Sequence, residues 1–68
     1  MFKVGDIVEY IADYWPGPGG IGVITDLAGI EGCYVTWIVF PQGTNKNTVW
    51  VFVSNLKLLE ESDGNQSK

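Results

Sequence analysis

The sequence predicts an all-β protein, a small and strongly bent five-stranded barrel with a single helical turn before the last strand. Three observations carry that expectation. Runs of β-branched and aromatic residues recur over 4–11, 21–27, 33–40 and 48–53, with turn-forming clusters between them. Gly20-Ile21-Gly22-Val23 places glycines at the start of one run, where residues without Cβ let another backbone approach closely and a strand bend. With 68 residues, 46% of them hydrophobic, the chain has room for one domain and enough apolar matter for one core.

Taken in order, residues 4–11 open with a Gly5-Asp6 turn and continue as the first strand, with Val8 and Tyr10 on one face and Ile7, Glu9 and Ile11 on the other. Glu9 marks its own face as wet, so Val8 is expected to point inward. Residues 12–20 form a loop, because Pro16 and Pro18 remove backbone donors and the glycines supply positive φ. After the strand over 21–27, residues 28–32 make a turn. The segment 33–40 is the strongest strand, with Cys33, Val35, Trp37 and Val39 on one face and Tyr34, Thr36, Ile38 and Phe40 on the other. Pro41 ends it, and 42–47 is a polar hairpin loop. The returning strand, 48–53, sets Val49, Val51 and Val53 against Trp50 and Phe52. Ser54-Asn55-Leu56 reads as one helical turn in which Ser and Asn satisfy local amides. Residues 57–59 make a short last strand. The barrel thus occupies 1–59, and the acidic tail 60–68 is expected to be unstructured.

Composition removes several function classes. The chain carries a net charge of −4, has no arginine and no histidine, and scatters its lysines. Phosphate contacts need clustered positive charge, so nucleic acid is a disfavoured partner. Catalysis needs paired groups within hydrogen-bond reach. None is visible, so the reading is a protein without catalytic residues, cofactor or metal site. The lone Cys33 sits among strand formers and reads as a buried small hydrophobe. Gly17, Gly19 and Gly22 match the spacing of dinucleotide-binding loops, but that motif requires a helix to follow, and Val23-Ile24-Thr25 prefer a strand. No apolar run approaches the ~20 residues of a membrane helix, and Met1 to Asp6 lacks the apolar core of a signal peptide. The expectation is a soluble, cytoplasmic protein with no membrane association.

Val4-Gly5-Asp6-Ile7-Val8, Gly20-Ile21-Gly22-Val23-Ile24, Tyr34-Val35-Thr36-Trp37 and Ser54-Asn55-Leu56-Lys57-Leu58-Leu59 together resemble the SH3-like small β-barrel superfamily, in particular its KOW-type and Tudor-type members. The likeness covers residues 2–59. It implies the barrel fold and an accessory or binding role of the kind found in short accessory subunits and phage proteins. The chain departs from the RNA-binding members, since Asp13 and an uncharged Trp-Pro-Gly-Pro run stand where those carry basic residues.

Two groups of residues are candidate sites for a protein partner. Tyr14 and Trp15, in a loop stiffened by prolines, either fold back as a lid over the core or form a binding surface. The expected site is a shallow groove with Trp15 as the contact residue and Asp13 at its rim. If the valine-rich faces point inward, Tyr34, Ile38, Phe40, Trp50 and Phe52 form an outer surface suited to self-association, which predicts a homo-oligomer. The alternative function is single-stranded nucleic-acid binding by stacking on exposed aromatics, which the negative charge opposes.

Overall fold

A computed structural model describes residues 2–62 and shows an all-β chain. Its elements are β1 (Ile7–Tyr10), β2 (Ile21–Ala28), β3 (Gly32–Val39), β4 (Thr48–Phe52), a 3-10 turn over Val53–Asn55, and β5 (Leu56–Glu60). All five strands belong to one antiparallel sheet in the order β4-β3-β2-β1-β5. The sheet is barrel-like but does not close, so β4 and β5 are its two edges.

The chain turns at Val4-Gly5, one residue before the expected Gly5-Asp6 turn, and the first strand begins at Ile7. Gly5 has φ of 98°, and Asp6 N–H donates to the Lys3 carbonyl at 3.1 Å. Asp6 is fully buried, and its carboxylate accepts the backbone N–H of Lys3 at 2.7 Å and that of Ser62. This carboxylate ties the chain entering β1 to the chain leaving β5. The last strand extends through Glu60, which faces Ile7, so the first residue assigned to the tail is part of the sheet. Residues 63–68 of that tail lie outside the described residues.

Alternation puts Val8, Tyr10, Ile24, Cys33, Val35, Trp37, Val49, Val51 and Leu56 into one core. Burial of the small Cys33 raises its thiol pKa, because the thiolate is disfavoured away from water. Gly22 sits in β2 opposite Trp37 of β3, next to a shift in their register. A Cβ there would come within 2.6 Å of the Thr36 carbonyl and 3.1 Å of the Trp37 ring. Val39 is a correction to the expected inner face, being half-exposed. The register shifts between Ile21 and Gly22, so Ile21 faces Val39 while Gly22 faces Trp37. Ile38 is the extra residue of that bulge, and the strict two-residue alternation ends there.

Candidate interaction site

Residues 11–20 owe their shape to their own turns and to contacts at both ends of β4. Gly17 and Gly19 take φ of 98° and 97°, and their amides donate to the carbonyls of Tyr14 and Tyr10. The Trp15-Pro16 peptide is cis, and Pro16 is buried. Beyond β3, the indole Nε1 of Trp15 donates to the Gly43 carbonyl at 2.8 Å, and Gly43 N–H returns a bond to the Pro16 carbonyl at 2.8 Å. A Cβ at Gly43 would lie 2.5 Å from that carbonyl oxygen. The approach therefore depends on glycine.

At the other end the loop is held by a chain of side-chain bonds. Tyr14 Oη donates to Asn55 Oδ1 at 2.9 Å, Asn55 Nδ2 donates to Tyr10 Oη at 3.3 Å, and Tyr10 Oη donates to the Trp15 carbonyl at 3.2 Å. Tyr10 is buried, which raises its pKa, and the neighbouring Tyr14 raises it further against the lowering effect of the Asn55 bond. The hydroxyl thus stays protonated and can both donate and accept. The loop is fastened to Gly43 before β4 and to Asn55 after it.

Between the loop and β4 lies a groove of about 240 Å³, lined by Tyr10, Tyr14, Trp15 and Pro16 on one side and by β4 and Asn55 on the other. Tyr14 and Trp15 are 63% and 57% exposed, so they are a surface and not a lid over the core. Asp13 is exposed beside them but does not line the groove.

On the outer side of β3 and β4, Tyr34 faces Trp50 across the ladder, and the Trp50 and Phe52 rings meet edge to face at 4.7 Å. All three are partly exposed. Ile38 and Phe40 are exposed too, but the hydroxyl pair Thr36 and Thr48, with oxygens 2.8 Å apart, separates them from the aromatic trio. Phe40 lies past the end of β3. The two groups read from the sequence meet here: Trp50 and Phe52 line the same groove as Tyr14 and Trp15. No protein-family model matches the chain, and neither the curated proteins nor the solved structures contain a match to it.

Two features have little signature in the sequence. Asn55 bonds to Tyr10 and Tyr14 rather than to nearby amides, a contact that depends on the loop folding back. Phe2, Leu27, Ile30 and Val53 border a second, apolar cavity of about 440 Å³, where Ile30 stands 94% exposed in the turn between β2 and β3. An isoleucine between Gly29 and Glu31 in a turn was the available signal. Among the described residues no cluster of His, Cys, Asp or Glu forms a metal site, and no helix is long and apolar enough to cross a membrane.

Proposed function

We propose that this chain is a soluble, cytoplasmic, non-catalytic interaction module of the SH3-like kind that self-associates through the outer face of β3 and β4. The observation that carries the reading is the exposed set Tyr34, Ile38, Phe40, Trp50 and Phe52, opposite a buried face of valines. An aromatic side chain can bury ~150–250 Å². With about two-fifths of each exposed, the contiguous trio Tyr34, Trp50 and Phe52 leaves roughly 180–300 Å² uncovered, at the lower end of the largest patch on a typical monomer, and Phe40 and Ile38 add apolar surface beyond the Thr36–Thr48 pair.

A second copy covers such a patch with the least machinery, since a two-fold axis sets one aromatic face on another. The outward side chains of β3 and β4 carry no charge themselves, the neighbouring carboxylate being Asp26 of β2, opposite Tyr34 at the rim. Tyr14 and Trp15 serve a different, heterologous protein. Light scattering of the full chain beside Trp50→Glu tests the reading, with self-association expected in the first and a folded monomer in the second.

A further inference from the structure

Backbone geometry decides which peptide groups of β4 are already paired. In an antiparallel ladder, facing residues alternate between pairs that exchange hydrogen bonds and pairs that direct N–H and C=O to the strands' other sides. Val53 N–H donates to the Glu31 carbonyl at 2.8 Å, and Trp37 N–H to the Asn47 carbonyl at 2.9 Å. Both bonds continue the register in which Gly32 faces Phe52 and Thr36 faces Thr48. Stepping inward by twos from either end makes Cys33/Val51 and Val35/Val49 the bonded pairs. Thr48, Trp50 and Phe52 therefore turn their backbone groups away from β3. The Phe52 carbonyl caps the 3-10 turn that follows, and among the described residues no turn, loop or side-chain hydrogen bond reaches the backbone groups of Thr48 and Trp50 or the Phe52 N–H.

The side of β4 away from β3 faces the groove. Trp50, Val51 and Phe52 all line it, yet consecutive strand residues point to opposite faces, so the groove runs along the strand's edge and not over a face. At about 240 Å³ it is smaller than the ~300–1,000 Å³ of small-molecule pockets. Natural edge strands are blunted by charges or proline. The other edge, β5, carries Lys57 and Glu60, whereas β4 reads Thr-Val-Trp-Val-Phe.

We propose that this groove accepts an extended segment of another protein, added to the sheet as a further strand paired with the free edge of β4. The N–H and C=O of Trp50 and the N–H of Phe52 supply the backbone bonds, and Tyr14, Trp15 and Pro16 form the opposite wall. The segment is apolar at alternate positions and basic or uncharged elsewhere, because the lining carries no charge and the chain as a whole carries −4. A second copy is the poorer occupant, because its own β4 edge is flanked by its own Tyr14–Pro16 wall, which pairing of the two edges would bring against this one. The site goes beyond the self-association reading, which uses a face of the hairpin and not its edge.

The test is amide hydrogen exchange of the full chain, read by NMR, with the capped peptide Ac-Lys-Val-Thr-Val-Thr-Val-Lys-NH2 as probe. Saturable slowing of at least about tenfold is expected at the amides of Trp50 and Phe52, with Val49 and Val51 unchanged. N-methylating alternate peptide amides should weaken binding about tenfold in one phase and by less than about threefold in the other. Binding without protection of those two amides, equal effects of both phases, or no saturable change at millimolar peptide would each overturn the proposal. Protection that grows with protein concentration alone would overturn it as well, by giving the edge to a second copy. Failure of self-association in light scattering leaves these readouts unaffected.

Discussion

The indole of Trp50 lies against the backbone of Gly32 on the neighbouring strand, so closely that a methyl group at position 32 would overlap the ring. The contact is diagonal, since Trp50 faces Tyr34 and Gly32 faces Phe52. Glycine is needed here for space. Gly32→Ala should therefore lose roughly 1–3 kcal/mol through overpacking. Denaturant unfolding of Gly32→Ala, Trp50→Ala and the double variant checks this: the two losses should fall clearly short of adding, because removing the ring removes the clash.

Asn55 holds the loop through two tyrosines, only one of which is buried. Asn55→Ala leaves the Tyr10 hydroxyl short of a partner in the interior and should destabilise by about 1–3 kcal/mol. Tyr14→Phe removes a bond near solvent and should lose no more than about 1 kcal/mol. Urea midpoints of the two variants should rank in that order.

Trp15 is exposed but tethered by its indole nitrogen to Gly43. Trp15→Phe keeps a ring and deletes the bond, for an expected loss of about 0.5–1.5 kcal/mol. Trp15→Ala should stay well below the ~3–5 kcal/mol of a buried tryptophan truncation. Unfolding experiments on both variants measure this, and faster exchange at the Gly43 amide, whose partner is the Pro16 carbonyl, should accompany them.

Burial raises the pKa of Cys33 from 9.0 and of Tyr10 from 10.0. The unfolded chain releases these protons at the ordinary values while the folded chain still holds them. Their contribution to stability is complete below those values and is lost as pH rises through them. Unfolding midpoints followed from about pH 7 to about 11 should be level at first and then fall. Cys33→Ala should remove the earlier part of the fall and Tyr10→Phe the later part. An alkaline slope unchanged in both variants would contradict the assignment.

Strand positions were legible because each strand combines β-branched residues with a clear inner face, as in Val49 and Val51 against Trp50 and Phe52. The sidedness of Val39 was not, because Ile38 bulges and the period of two fails at that step. Tyr14 and Trp15 could be recognised as unusual for a polar loop, but their place beside Trp50 depends on a carbonyl at Gly43 and an amide at Asn55. Those contacts join residues 28 and 41 positions apart, and no periodicity encodes them. Asn55 was read as a local turn former since its type favours such turns, and only the folded loop brings both tyrosines within its reach. The free edge of β4 was also hidden, since strand order in the sheet follows from packing and not from local composition.

Self-association is tested most directly by light scattering of the full chain from about 10 to about 500 µM, beside Trp50→Glu checked for fold by circular dichroism. The expected result is a mass that rises above that of a 7.5 kDa monomer with concentration, and a folded Trp50→Glu that stays monomeric throughout. A wild-type chain that remains strictly monomeric over the whole range, or a folded Trp50→Glu with the same mass as wild type, would contradict self-association through this face.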